Sequence, residues 1–228
     1  MKLSYFELLS PEPVYLEHVG GILSPKLRDI ASIGVKKYQY YLSILSMEPE
    51  VFDSFCSTPD LAILFQQALD FFFKESIVYS IENNCFIAQE TANTVGLITK
   101  ENYPMICDFI FQRNSMKSNQ TEDLSKVQNK KALEIMEKLQ KGREKKAKQT
   151  KADPNMELGN IISAVANKSP SLNMVNIWDL TVFQLWDCFS RICNNNAYEI
   201  QSMSVAVYGN KDKHFDANSW FRKIDVLI

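Results

Sequence analysis

Apolar positions along this chain repeat with a period near 3.6 over most of its length and with shorter, denser spacing in a few places, so helices dominate the expected elements. The longest helical pattern is C-terminal. Val182, Leu185, Trp186, Phe189, Ile192 and Cys193 share one helical face, and Ala197, Ile200, Met203 and Val207 carry it on to Gly209. Thr181 stands three residues before Gln184, the spacing of a capping box, and Leu180 and Leu185 have the spacing of a hydrophobic staple. One helix of roughly 27 residues, about 40 Å long, is predicted. Its stripe can serve as core, or in part as a surface that receives another helix.

The N-terminal part mixes periods. SYFELL and PVYLEHV are short and rich in aromatic and branched residues, which predicts strands. Ser24 and Pro25 read as an N-cap and first helical position, followed by a helical face from Leu27 through Ile30, Gly34, Tyr38 and Tyr41 to Leu45. Thr58 and Pro59 repeat that signal before LAILFQQALDFFF, whose apolar circumference predicts the central helix. IVYSIENNCFIAQE predicts a hairpin turning at Asn83 and Asn84, because asparagine tolerates positive φ. Thr99 is expected to cap a helix with Tyr103, Ile106, Cys107, Ile110 and Phe111 on one face, ending near Asn114.

Between these parts the charge pattern changes. From Thr121 to Lys151 nine Lys and one Arg face four Glu and one Asp, an excess of five positive charges in a chain whose net charge is −2. The thin apolar stripe there predicts a helix that frays into a solvated linker near Pro154. The expected organisation is an N-terminal α+β module over 1–115, a charged, partly helical linker over 116–157 and a C-terminal helical module over 158–228. The fold class is thus mainly α with a small β component.

Composition excludes several functions. Hydrophobic residues at 46% and charged residues at 23% describe an ordinary globular chain. No apolar run reaches the length of a membrane span, and the opening residues lack the order of a signal peptide, so no membrane association is expected. Cys56, Cys85, Cys107, Cys188 and Cys193 include no C-x-x-C pair and read as reduced thiols. Seven glycines supply no phosphate-binding loop. His18 and His214 are the two histidines, too few for a histidine cage. Asp212, His214 and Asp216 alternate in KDKHFD, but the segment reads as a polar turn after Gly209. Glu48 with Glu50 and Glu122 with Asp123 fit helix starts, where carboxylates meet the helix dipole. The basic tract lacks aromatics for base stacking, so nucleic acid is not an expected partner. No catalytic residue, metal ligand or cofactor is expected.

Three stretches together resemble the siphophage tail assembly chaperones. GGILSPKLRDIASIGVKKYQYYLSIL places Pro25, Ile30 and Gly34 at the family's Pro, Ile and Gly, and GLITKENYPMICDFIFQRN is similar in Gly96, Ile98, Thr99, Asn102 and Asn114. IWDLTVFQLWDCFSRI, continuing to Gly209 and SWFRKI, is similar in Thr181, Arg191 and Trp220. About half of the chain is covered, and the basic tract departs from the pattern. The resemblance implies a non-enzymatic protein of the host bacterial cytoplasm that keeps the tape measure protein soluble during tail tube assembly. The tape measure protein is the expected partner, with the tail tube protein and a second copy of the chain as further candidates. A virion structural protein, such as a tail completion, connector or baseplate component, is the alternative. Trp178 precedes the long helix, and Trp220 and Phe221 follow its stop. These edge positions are where large residues act as binding anchors.

Overall fold

The computed structural model describes residues 2–47, 52, 59–90, 93–116, 153–210 and 214–224. Thr58, Cys56, Glu48, Glu50, Glu122, Asp123, Asp212 and the basic tract from Thr121 to Lys151 lie outside the described residues. The chain runs α1 (Tyr5–Leu9), β1 (Val14–Leu16), β2 (Gly20–Ile22), α2 (Leu27–Ile33), α3 (Val35–Leu45) and α4 (Pro59–Phe72). It continues through β3 (Ser76–Ser80), β4 (Cys85–Glu90), β5 (Asn93–Ile98), α5 (Tyr103–Arg113), α6 (Leu158–Lys168) and α7 (Val182–Tyr208). This is an α+β fold with two small antiparallel sheets, β1-β2 and β3-β4-β5.

Several expected elements are present. The Asn83–Asn84 hairpin joins β3 to β4 in a register of Val78 opposite Ile87, and Asn84 takes the positive φ of 49° that the turn requires. Helix α4 is central: Ala62, Phe65, Ala68, Leu69 and Phe72 are buried, and the Phe65 ring lies 5.2 Å from Phe86 of β4 and 5.4 Å from Tyr103 of α5. Its polar side closes the β3 edge, since Asp70 accepts from the Ile77 N–H at 2.9 Å and Gln66 from the Tyr79 N–H at 3.0 Å. Side-chain acceptors thus occupy donors that would otherwise invite another strand.

Five expectations are corrected. SYFELL is helical, because Ser4 and Glu7 form a reciprocal capping box that opens α1 and outweighs the aromatic content. PVYLEHV yields only the three-residue β1, paired with the unforeseen β2. The single helix expected after Ser24 starts at Leu27 and breaks at Gly34, whose φ of 87° ends α2 and starts α3. Ser24 is no cap: it is buried and its hydroxyl donates to the Arg113 carbonyl at 3.2 Å. Thr99 is likewise not the cap of α5, which begins after Asn102, and the preceding residues form β5. A Cβ on Gly96 of that strand would lie 2.5 Å from the Val19 backbone, so the close approach of β5 to the β1-β2 turn requires glycine.

The start of α7 joins the same core. Val182, Phe183 and Leu185 are buried with Ile161 and Val165 of α6 and with Phe65 and Ile106 of the N-terminal elements in one cluster. Backbone pairing reinforces it: Lys26 bridges Thr181, and the Leu27 N–H donates to the Leu180 carbonyl at 2.9 Å.

Candidate functional site

The capping box expected for α7 is present. Thr181 accepts from the Gln184 N–H at 3.2 Å, Gln184 accepts from the Thr181 N–H at 2.9 Å, and the other end of the Gln184 amide donates to the Leu9 carbonyl at 2.8 Å. The helix runs from Val182 to Tyr208, and its C-cap is Gly209 at φ 79°. Thus the cap both starts the helix and fastens it to the end of α1.

Burial then falls along the helix. Val182, Phe183 and Leu185 are buried, while Trp186, Phe189 and Ile192 are half-buried. From Cys193 to Tyr208 no residue of α7 is buried, and Ile200, Met203 and Val207 are 66%, 61% and 72% exposed. The sequence stripe is therefore core only at its N-terminal end. Phe183, off that stripe, was not among the expected core residues, yet it is buried edge-on to Tyr5 at 6.2 Å between ring centres. Its partner face is supplied by α1, which the strand reading of SYFELL concealed.

A polar cluster marks where α7 leaves the core. Tyr5 donates to Asp187, Arg191 donates to the Tyr5 hydroxyl at 3.1 Å, and Arg191 lies 3.7 Å from the Asp187 carboxylate. Burial first, and then the Asp187 hydrogen bond, raises the Tyr5 pKa. Arg191 also donates to the Arg222 carbonyl at 3.0 Å, and Asn194 donates to the carbonyls of Ser219 and Trp220 at 2.9 and 3.1 Å. Residues 214–224 thus return along one side of α7, with Phe215 stacked on Tyr198 at 5.6 Å.

Of the expected anchors, Trp178 is half-buried, packs on the core and donates its indole N–H to the Met174 carbonyl at 2.9 Å. Trp220 and Phe221 are 52% and 55% exposed and form an edge-to-face pair at 5.1 Å. The structure brings Trp220 and Phe221 together beside the middle of α7, where Asn194 bonds the Trp220 carbonyl, and leaves Trp178 at the N-terminal end of the helix, since Val182 to Asn194 spans roughly 18 Å. An open cavity of about 440 Å³ lies beside Tyr208, between Gln201, Ser204 and the returning His214 and Phe215. Asp216, the described carboxylate of KDKHFD, pairs with Arg222 at 3.2 Å. Among the described residues no three His, Cys, Asp or Glu side chains gather as a metal site would require, and no helix is long and apolar enough to cross a membrane.

Other titratable groups belong to the core. Arg113 is fully buried, donates to the Ser10 and Glu12 carbonyls at 3.0 and 2.7 Å, and has its pKa lowered to about 10 by burial. Burial pushes the Cys107 thiol up to about 12. Both hold structure rather than line an opening.

The arrangement defines an α+β protein in which a long, half-uncovered helix and its returning tail expose several apolar side chains. Residues 145–225, which contain α6, α7 and the tail, match the family model of the YomV second domain. That family is phage-derived, and the match over these residues suggests a phage protein. No curated protein and no solved structure matches it.

Proposed function

We propose that this chain acts by binding rather than by catalysis, as a tail assembly chaperone that holds the phage tape measure protein soluble in the host cytoplasm while the tail tube forms. The observation that carries this reading is the lower half of α7 with its tail: a well-capped helix with no buried residue from Cys193 onward and with Ile200, Met203 and Val207 exposed, next to the exposed Trp220–Phe221 pair. Such a surface fits an apolar stripe on a long helical client. Large aromatics with one free face are frequent binding anchors, because they bury much area for little lost side-chain entropy. Trp220 and Phe221 are assigned as the main client contacts, with Trp178 as a secondary one. The phage-derived family and the resemblance in Thr181, Arg191 and Trp220 favour the same reading.

Protein composition of purified phage particles tests it. A chaperone is absent from finished virions and present in infected cells, bound to the tape measure protein. Stoichiometric recovery in virions would instead assign a structural role in tail completion, connector or baseplate.

A further inference from the structure

The Trp220–Phe221 pair is held by its backbone, with its side chains left free. Asn194 donates to the Ser219 and Trp220 carbonyls at 2.9 and 3.1 Å, and Arg191 donates to the Arg222 carbonyl at 3.0 Å, so two side chains of α7 bracket the pair. Asn194 and Arg191 stand three residues apart, the spacing of one helical face. Asparagine is a poor residue for a helix interior, because its amide competes for the helix's own backbone groups; at Asn194 the amide reaches out to the tail instead. The ends of the tail are held differently. Phe215 stacks on Tyr198, and Ile224 packs on the core cluster, which leaves the turn between them to Arg191 and Asn194. Arg191 is itself aimed. Its Nε lies 3.7 Å from Asp187, one terminal nitrogen donates to the Tyr5 hydroxyl at 3.1 Å, and the other terminal nitrogen is the one that reaches Arg222. Tyr5 donates to Asp187 and closes the circuit. A long side chain that would otherwise sample many rotamers thus has two sides of its fork fixed and the third turned to the tail.

We propose that Arg191 is a positioning residue for the aromatic pair and that Tyr5 sets its aim, so that the N-terminal helix α1 controls how Trp220 and Phe221 are presented to the client. This rests on the client reading and adds control of the same site. Neither Tyr5 nor Asp187 bonds the tail; each acts through Arg191. The physical cause is preorganisation. A turn already in place loses no ordering entropy on binding, whereas one in place about one-tenth of the time binds its partner about tenfold more weakly.

The chain has three tryptophans, Trp178, Trp186 and Trp220, so the full chain labelled with 5-fluorotryptophan gives three fluorine resonances, assigned by replacing each with Phe. Without client, the wild-type Trp220 resonance should be displaced from its position in urea. Arg191→Ala should move it most of the way to that position, and Tyr5→Phe part of the way, while the Trp178 resonance stays in place as the sign of an intact fold. Tyr5→Phe keeps the ring that lies edge-on to Phe183 and removes only the hydroxyl. Arg191→Lys should not restore Trp220, because one ammonium lacks the planar fork that serves three partners. With the tape measure protein present, Arg191→Ala should weaken binding about tenfold. An unmoved Trp220 resonance in Arg191→Ala or in Tyr5→Phe, or full restoration by Arg191→Lys, would overturn the proposal, as would undiminished client binding by an Arg191→Ala chain whose Trp220 has moved. A wild-type chain that binds no client while its resonances behave as expected would overturn the chaperone reading and leave the control of the pair by Arg191 and Tyr5 standing.

Discussion

The Leu27 N–H donates to the Leu180 carbonyl at 2.9 Å, and one residue to either side Lys26 bridges Thr181. Two segments separated by the whole basic tract are thus paired backbone to backbone at the foot of α7. Fully buried side chains from both surround that pairing, Leu27 and Ile30 from α2 and Phe183 and Leu185 from α7. Nine Lys and one Arg between Thr121 and Lys151 are trypsin sites, and limited trypsin digestion should cut there first. The two fragments should then elute together on gel filtration and separate only in denaturant. Separate elution in native buffer would show that the shared cluster does not hold.

Substitution along α7 should reveal a gradient rather than a uniform stripe. Phe183→Ala and Leu185→Ala remove fully buried side chains and should cost about 3–5 and 2–5 kcal/mol. Trp186→Ala and Phe189→Ala, half-buried and edge-to-face at 6.0 Å, should cost less, and Ile200→Ala almost nothing. Urea denaturation checks the order; equal losses at Phe183 and Ile200 would contradict it.

Gly96→Ala should destabilise by about 1–3 kcal/mol or more, since the added methyl meets backbone atoms that no side-chain rotation can clear. Gly34→Ala tests a different cause: nothing lies within 4 Å of its would-be Cβ, and only the positive φ resists substitution. Thermal melts should therefore rank Gly96→Ala as the more damaging of the two.

Stability should fall at alkaline pH. Burial, with a smaller contribution from Asp108, raises the Cys107 pKa from 9.0 to about 12, against a weaker opposing hydrogen bond from Tyr103. The folded chain then holds this proton where the unfolded chain has lost it, so the stabilisation is complete below pH 9.0 and is lost as pH rises through about 12. Tyr38 and Tyr103, also raised by burial, act in the same direction. In denaturation series from pH 7 upward, Cys107→Ala should show a shallower decline than wild type above pH 9.0. Parallel curves would contradict the burial effect.

What was legible in the sequence was local chemistry. The Thr181–Gln184 box, the Gly209 stop and the Asn83–Asn84 turn each act within a few residues, and each is where its spacing places it. Ser4 and Glu7 carried an equally local signal, which the aromatic content of SYFELL outweighed in the reading. The break at Gly34 was masked because apolar phase continues across it, and β5 because its strand identity depends on pairing with β4. For the site, periodicity marked the face of α7 but could not tell where cover ends, since that depends on which other elements reach it. Ile200 and Val182 look alike in sequence; one is 66% exposed and the other buried. Trp178, Trp220 and Phe221 were equivalent as edge aromatics, and only tertiary contacts distinguish the half-buried first from the exposed pair.

The proposed chaperone role requires this chain to hold the tape measure protein in solution, which co-expression of the two reads out. The tape measure protein should move from the insoluble to the soluble fraction and co-purify with the wild-type chain. The double variant Trp220→Ala, Phe221→Ala should melt like wild type, because both side chains are more than half exposed, yet recover much less client. A tape measure protein that stays insoluble with the wild-type chain would contradict the account; full recovery by a stable double variant would contradict the assigned anchors.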